Sequence, residues 1–237
     1  MRGPIRLAEG VWRVPTTPAH LVNSFLFAEP DGTLTLVDTG YVRSAPRRIA
    51  AGLAALGKQP SDVRRILLTH AHSDHAGGAA RVQRSSGAVL STHDDEAHWL
   101  REGRAPSPGG TPLARLLARM PAKIEVCEVG ATFSDNQLLD VAGGLRVLHT
   151  PGHTPGHCAF VHEPSGVLIT GDSLFNFLDR MSWSFAAFCT DFPLCKQTAE
   201  RLADVDYDVA AFTHGPEIRR NARERIREFL LRKAAKR

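Results

Sequence analysis

The stretch Thr69-His70-Ala71-His72-Ser73-Asp74-His75-Ala76-Gly77-Gly78 follows directly on the apolar run Arg65-Ile66-Leu67-Leu68. Four ligand-type side chains, His70, His72, Asp74 and His75, fall within six residues. Burying so many polar groups without partners is costly, so they must converge on something rather than fill a core. Imidazole suits zinc, iron and other borderline metals, and a carboxylate adds charge and a harder oxygen. His70 and His72 can point the same way from an extended segment, whereas Asp74 and His75 come after the chain has begun to turn toward the helix that starts at Ala76. Two pairs of ligands are thus offered to two neighbouring metals, and ions about 3.5–4 Å apart can share a hydroxide and stabilise charge on an attacked oxygen.

Two pairs do not complete two sites, because zinc normally takes three or four protein ligands. Three more segments supply candidates, each after an apolar strand-like run. His153 stands in Leu148-His149-Thr150-Pro151-Gly152-His153-Thr154-Pro155-Gly156-His157, Asp172 in Leu168-Ile169-Thr170-Gly171-Asp172-Ser173, and His214 in Ala211-Phe212-Thr213-His214-Gly215-Pro216. Loops at the carboxyl ends of strands are where α/β folds gather catalytic groups. His149 and His157 are expected to support this motif, and His20, His93, His98 and His162 have no ligand spacing and read as surface or satisfied polar residues.

The first forty residues read as a β-meander, with strand-like runs at Gly10–Val14, Asn23–Ala28 and Leu34–Asp38 and a hairpin signal at Asp31-Gly32. Apolar spacing predicts a helix from Ser44 to Leu56 with Gly57 as its cap, a strand at Gly87–Ser91, and helices at Asp94–Arg101 and Pro112–Met120. Glu102–Thr111 reads as a surface loop. Further strands are expected at Lys123–Val129, Leu138–Val141, Leu145–His149, Ala159–Val161, Gly166–Thr170 and Val209–Thr213, with a helix at Thr198–Leu202. Phe175–Phe192 carries few signals, and Trp183, Phe185 and Phe188 are candidates for a substrate pocket beside Asp172. Two β-rich halves, each interrupted by helices, imply sheet packed on sheet with helices outside.

The chain has 237 residues and a formal charge of +4, with nine Arg or Lys against two Glu from Arg219 to Arg237. The body is therefore not basic, and nucleic acid is not an expected partner. The tail, with Ala222, Ile226, Phe229, Leu230 and Ala234 at helical spacing, predicts a basic amphipathic helix over about 216–237. Cys127, Cys158, Cys189 and Cys195 lie far apart with no C-x-x-C pair, which fits free thiols in a cytoplasmic protein. No uncharged apolar run is long enough for a membrane span. We take residues 1–237 as one domain, and a homodimer stays open.

In order, Val37-Asp38-Thr39-Gly40, the His70–His75 motif, the His153 motif, Gly171-Asp172 and His214 resemble the motif series of the metallo-β-lactamase superfamily. The resemblance implies an α+β fold, the four-layer αββα sandwich, with metals at one edge between the sheets. It implies that His70, His72 and His153 hold one divalent ion and Asp74, His75 and His214 the other, with Asp172 bridging and Asp38 orienting the metal loop. Zinc is the family's default metal; iron and manganese also suit this Cys-free set.

The activity so implied is hydrolysis of an ester, thioester or lactone carbonyl of a small molecule by a metal-bridging hydroxide, with Asp74 holding the nucleophile and moving its proton. Lactam-hydrolysing members commonly carry a Cys near the position of Asp172, and oxygen-reducing iron relatives carry Glu in place of His72. Glyoxalase II is similar at Thr69–Gly78 and Gly171–Phe175 but has a longer helical C-terminal part. Lactonases share the metal motif, although their catalytic Tyr has no evident counterpart in Tyr41 or Tyr207. Two alternatives are a mononuclear iron persulfide dioxygenase and a non-catalytic metal- or nucleic-acid-binding module.

Overall fold

A computed structural model describes residues 3–109 and 124–234. The chain opens with β1 (Ile5–Ala8), β2 (Val11–Pro15), β3 (Asn23–Ala28) and β4 (Leu34–Val37), an antiparallel meander. The Asp31-Gly32 signal holds: Asp31 accepts from the Thr33 N–H at 2.9 Å, and Gly32 takes φ +81° in the turn between β3 and β4. Then α1 (Ala45–Ala55), β5 (Val63–Leu67), α2 (Ala79–Ser86), β6 (Val89–His93), α3 (Asp94–Glu102) and β7 (Val129–Phe133) follow. β5, β6 and β7 add in parallel to β4, giving a seven-stranded mixed sheet.

The second sheet contains β8 (Leu138–Leu139), β9 (Leu145–His149), β10 (Cys158–His162) and β11 (Val167–Ile169). A separate hairpin pairs β12 (Leu174–Phe177) with β13 (Arg180–Trp183). After α4 (Phe192–Thr198), β14 (Val209–Ala211) returns to the second sheet, whose order is β14-β11-β10-β9-β8, and α5 (Ala222–Ala234) closes the described chain.

Alternation of side chains along the strands builds the layers. In β3, Phe25 and Phe27 face the other sheet while Leu26 faces the helices; in β10, Phe160 points inward while Ala159 and Val161 point outward. Three cores result. One lies between the sheets, one joins α1, α2 and α3 to the outer face of the first sheet, and one joins α5 to the outer face of the second. This is the αββα sandwich.

Several boundaries differ from the sequence reading. Residues 124–128 form no strand: the amides of Ile124 and Cys127 bond to the carbonyls of Gly103 and Leu100, so this segment lies over the end of α3, and pairing begins only at Val129. The expected strand at Leu138–Val141 stops at Leu139. The weakly marked Phe175–Phe192 segment holds the β12–β13 hairpin. The last helix starts at Ala222 rather than near 216, because Glu217 pairs with Arg13 and Ile218 bridges to Ala210. The helix expected at Pro112–Met120 lies outside the described residues. No described helix is long and apolar enough to cross a membrane.

Candidate metal centre

β4 and β5 run parallel, and so do β11 and β14, while β9 shares their direction through antiparallel β10. The loops after β4, β5, β9, β11 and β14 therefore meet at one edge, carrying Asp38, His70 to His75, His153, Asp172 and His214. The His loop turns tightly, with the amides of His75 and Ala76 both bonding to the His72 carbonyl. Two glycines then allow it to lie against the loop after β4. A Cβ on Gly77 would come within 2.1 Å of the Ser73 carbonyl, and one on Gly78 within 2.5 Å of the Thr39 carbonyl.

The buried imidazoles spend their outer nitrogens on neighbours. Nδ1 of His70 meets Thr69 Oγ1 at 3.0 Å, that of His75 meets Asp38 Oδ2 at 2.8 Å, that of His153 meets Ser184 Oγ at 2.9 Å, and that of His214 meets the Leu21 carbonyl. His72 bonds to the Pro106 carbonyl. Carbonyl and carboxylate partners keep a proton on the outer nitrogens of His72, His75 and His214 and turn the other nitrogen of each ring inward. Those nitrogens converge: His72 Nδ1 lies 2.9 Å from His153 Nε2, and His75 Nε2 lies 3.3 Å from His214 Nε2. His70 Nε2 is wholly buried without a hydrogen-bond partner among the described residues. Ring nitrogens this close repel unless a proton or a metal cation lies among them.

The carboxylates complete two groups. Asp172 directs Oδ1 at His75 and His214 (3.2 and 3.3 Å) and Oδ2 at His153 (3.2 Å). Asp74 Oδ2 lies 3.5 Å from His214 and 3.7 Å from His75. The ligand atoms of His70, His72 and His153 form one set that could hold a metal ion, and those of Asp74, His75 and His214 another. Burial depresses the pKa of His70, His72 and His153, so they stand neutral and ready to donate. Burial also opposes charge on His75 and His214, yet Asp172 and Asp74 raise both. Against its own burial, the neighbouring imidazoles hold Asp172 far below the usual carboxylate range.

A family model described as the metallo-beta-lactamase superfamily matches residues 17–214. The chain belongs to the metallo-β-lactamase superfamily. It is 26% identical over 192 residues to the probable metallo-hydrolase YybB of Bacillus subtilis (strain 168), covering 81% of this chain and 80% of that one. A hydroxyacylglutathione hydrolase of Rhodopseudomonas palustris (strain BisA53) is 33% identical over 141 residues, which span 58% of this chain and 45% of that enzyme. The crystal structure of a metallo-β-lactamase family protein from Thermus thermophilus superposes with a TM-score of 0.73 at 30% identity, covering 97% of this chain and 81% of that one. Members of the superfamily bind divalent metals, and the converging ring nitrogens and carboxylates of this chain's two His/Asp groups fit such ions.

Residues around this superfamily's metal edge include some that sequence reasoning did not single out. Ser184 and Cys189 both lie against Nδ1 of His153, at 2.9 and 3.6 Å. Thr213 donates to Asp172 Oδ1 at 2.8 Å, and the Asp172 amide donates to Nε2 of His157 at 2.7 Å. Tyr41, set aside on sequence, is partly exposed near Asp74 and Asp172, and burial and these carboxylates raise its pKa. Phe185, 54% exposed, packs on Phe175, which lies 4.5 Å from His214, and Phe188 lies beside Phe185. Trp183 takes no part in this rim: it packs on Phe229 of α5 at 5.2 Å. His93 is buried and stacked on His149 at 4.1 Å and 15°. With Asp95 the pair forms another ligand-type cluster, but near-parallel rings cannot aim in-plane lone pairs at one ion.

Proposed function

We propose that this chain is a hydrolase that uses two divalent ions, zinc by default, to cleave an ester, thioester or lactone carbonyl of a small molecule. The observation that carries the reading is Asp172, whose two oxygens face the two ligand groups separately. A pair of ions held there would supply Lewis acidity and lower the pKa of water near the carbonyl. His70, His72 and His153 would hold one ion, Asp74, His75 and His214 the other, and Asp172 would bridge.

The remaining roles belong to the chain's own groups. Asp74 is the more exposed carboxylate, with side-chain exposure of 21% against 5% for Asp172, so it is the group that can receive a proton from attacking water and pass it on. Asp38 and Thr69 hold His75 and the start of the loop in position. Phe185 and Phe188 offer an apolar flank for the acyl part of a substrate. Tyr41, a neutral phenol at pH 7 like any tyrosine, can donate a hydrogen bond at the rim.

A panel of thioesters, lactones and aryl esters, assayed with and without a chelator, tests this reading. Chelator-sensitive turnover of at least one class is expected. Turnover that survives complete metal removal, or no hydrolysis of any class by metal-loaded protein, contradicts it.

A further inference from the structure

Glu96 belongs to neither ligand group, yet it is fully buried on α3. Its Oε2 accepts the Ala71 N–H at 2.8 Å and its Oε1 accepts the Gly156 N–H at 2.8 Å. Ala71 lies between His70 and His72, and Gly156 lies three residues after His153. One carboxylate thus joins a loop of the first sheet to a loop of the second, and these two loops carry one whole ligand group. The fit is close, since a Cβ on Gly156 would come within 2.8 Å of Glu96 Cγ. Burial raises the Glu96 pKa to about 7 against the pull of both amides. A carboxyl in such a place is costly, and an apolar residue of similar volume would fill the space without that cost.

We propose that Glu96 is a positioning residue whose carboxylate clamps the His70–His72 segment to the His153 loop and sets the spacing of these three imidazoles. The inference rests on the two-ion reading above. It predicts asymmetry: His75 and His214 have their own supports in Asp38 and the Leu21 carbonyl, and Asp74 and His75 stand three and four residues beyond Ala71, past the tight turn at His72. In Glu96→Gln one of the two oxygens becomes an NH2 that faces a backbone N–H, so one loop is released.

Cobalt(II) titration with chelator competition, on wild type and Glu96→Gln, tests the clamp. Wild type is expected to take up two ions; the variant is expected to keep one with unchanged affinity and to bind the other about 10–100-fold more weakly. Equal weakening of both ions, or of neither, would overturn the clamp while leaving the hydrolase reading intact. A wild type that takes up no cobalt would overturn both. If the variant does not fold, amide hydrogen exchange in wild type decides: Ala71 and Gly156 are expected to be strongly protected, and exchange at the rate of exposed loop amides would refute the clamp.

Discussion

Replacing Asp38 by Asn separates orientation of a ligand from ligation itself. Asp38 is fully buried and accepts three hydrogen bonds: Oδ1 from the Thr69 amide at 2.9 Å, and Oδ2 from the Thr69 hydroxyl and His75 Nδ1, both at 2.8 Å. Its φ of +57° is a conformation that Asn also tolerates, so Asp38→Asn should leave the backbone in place. The new NH2 replaces Oδ2. The Thr69 hydroxyl can rotate to accept from it, but the imidazole must move its proton to Nε2, which then points at the metal group and cannot ligate. A hydrogen bond to a charged group contributes about 1.5–3 kcal/mol. That range corresponds to about 10- to 150-fold in affinity, in line with the 10–100-fold typical of residues that support metal ligands. Chelator competition should show weakening of that size with little change in unfolding temperature of the metal-free protein. Asp38→Ala should lose stability as well, because left-handed backbone costs Ala about 1–2 kcal/mol. Metal binding by Asp38→Asn within twofold of wild type would refute the reasoning.

Three further outcomes are expected. His157 is buried, and its pKa falls from 6.5 to about 4, so the folded state excludes a proton that the unfolded state takes up as pH drops through 6.5; this removes about 3 kcal/mol of stability by pH 4, and ring titration by NMR near 6.5 would contradict it. Phe160→Ala, at the centre of the inter-sheet core, should cost about 3–5 kcal/mol in urea unfolding; a loss under about 1 kcal/mol would mean that the two sheets do not close there. Phe185→Ala and Phe188→Ala should raise KM for apolar acyl substrates at unchanged metal content, whereas loss of bound metal would place these rings in the ligand scaffold.

Much of the candidate metal site was legible because ligand-type side chains are local in sequence, and the structure brings them together. Four donors follow one apolar strand, and His153, Asp172 and His214 each follow another. The layered fold followed from apolar runs of strand length alternating with helical spacing. What escaped depends on contacts distant in sequence. Glu96 reads as an ordinary helix residue until its two amide partners are seen, and Ser184 meets His153 across 31 positions. Residues 124–128 show the limit of pattern reading, since a segment of strand length can cover a helix end instead of pairing. Trp183, Phe185 and Phe188 carry the same apolar signal, and only tertiary packing sets the first against α5 and Phe185 against Phe175, the ring that meets His214.

The central claim is a two-ion site, and the most direct test is metal content per chain by elemental analysis of protein purified without added metal, paired with the chelator-controlled hydrolysis assay. Close to two divalent ions per chain, with hydrolysis lost on their removal and regained on their return, is the predicted result. A single iron accompanied by oxygen uptake on a persulfide substrate, or no bound metal at all, would contradict it.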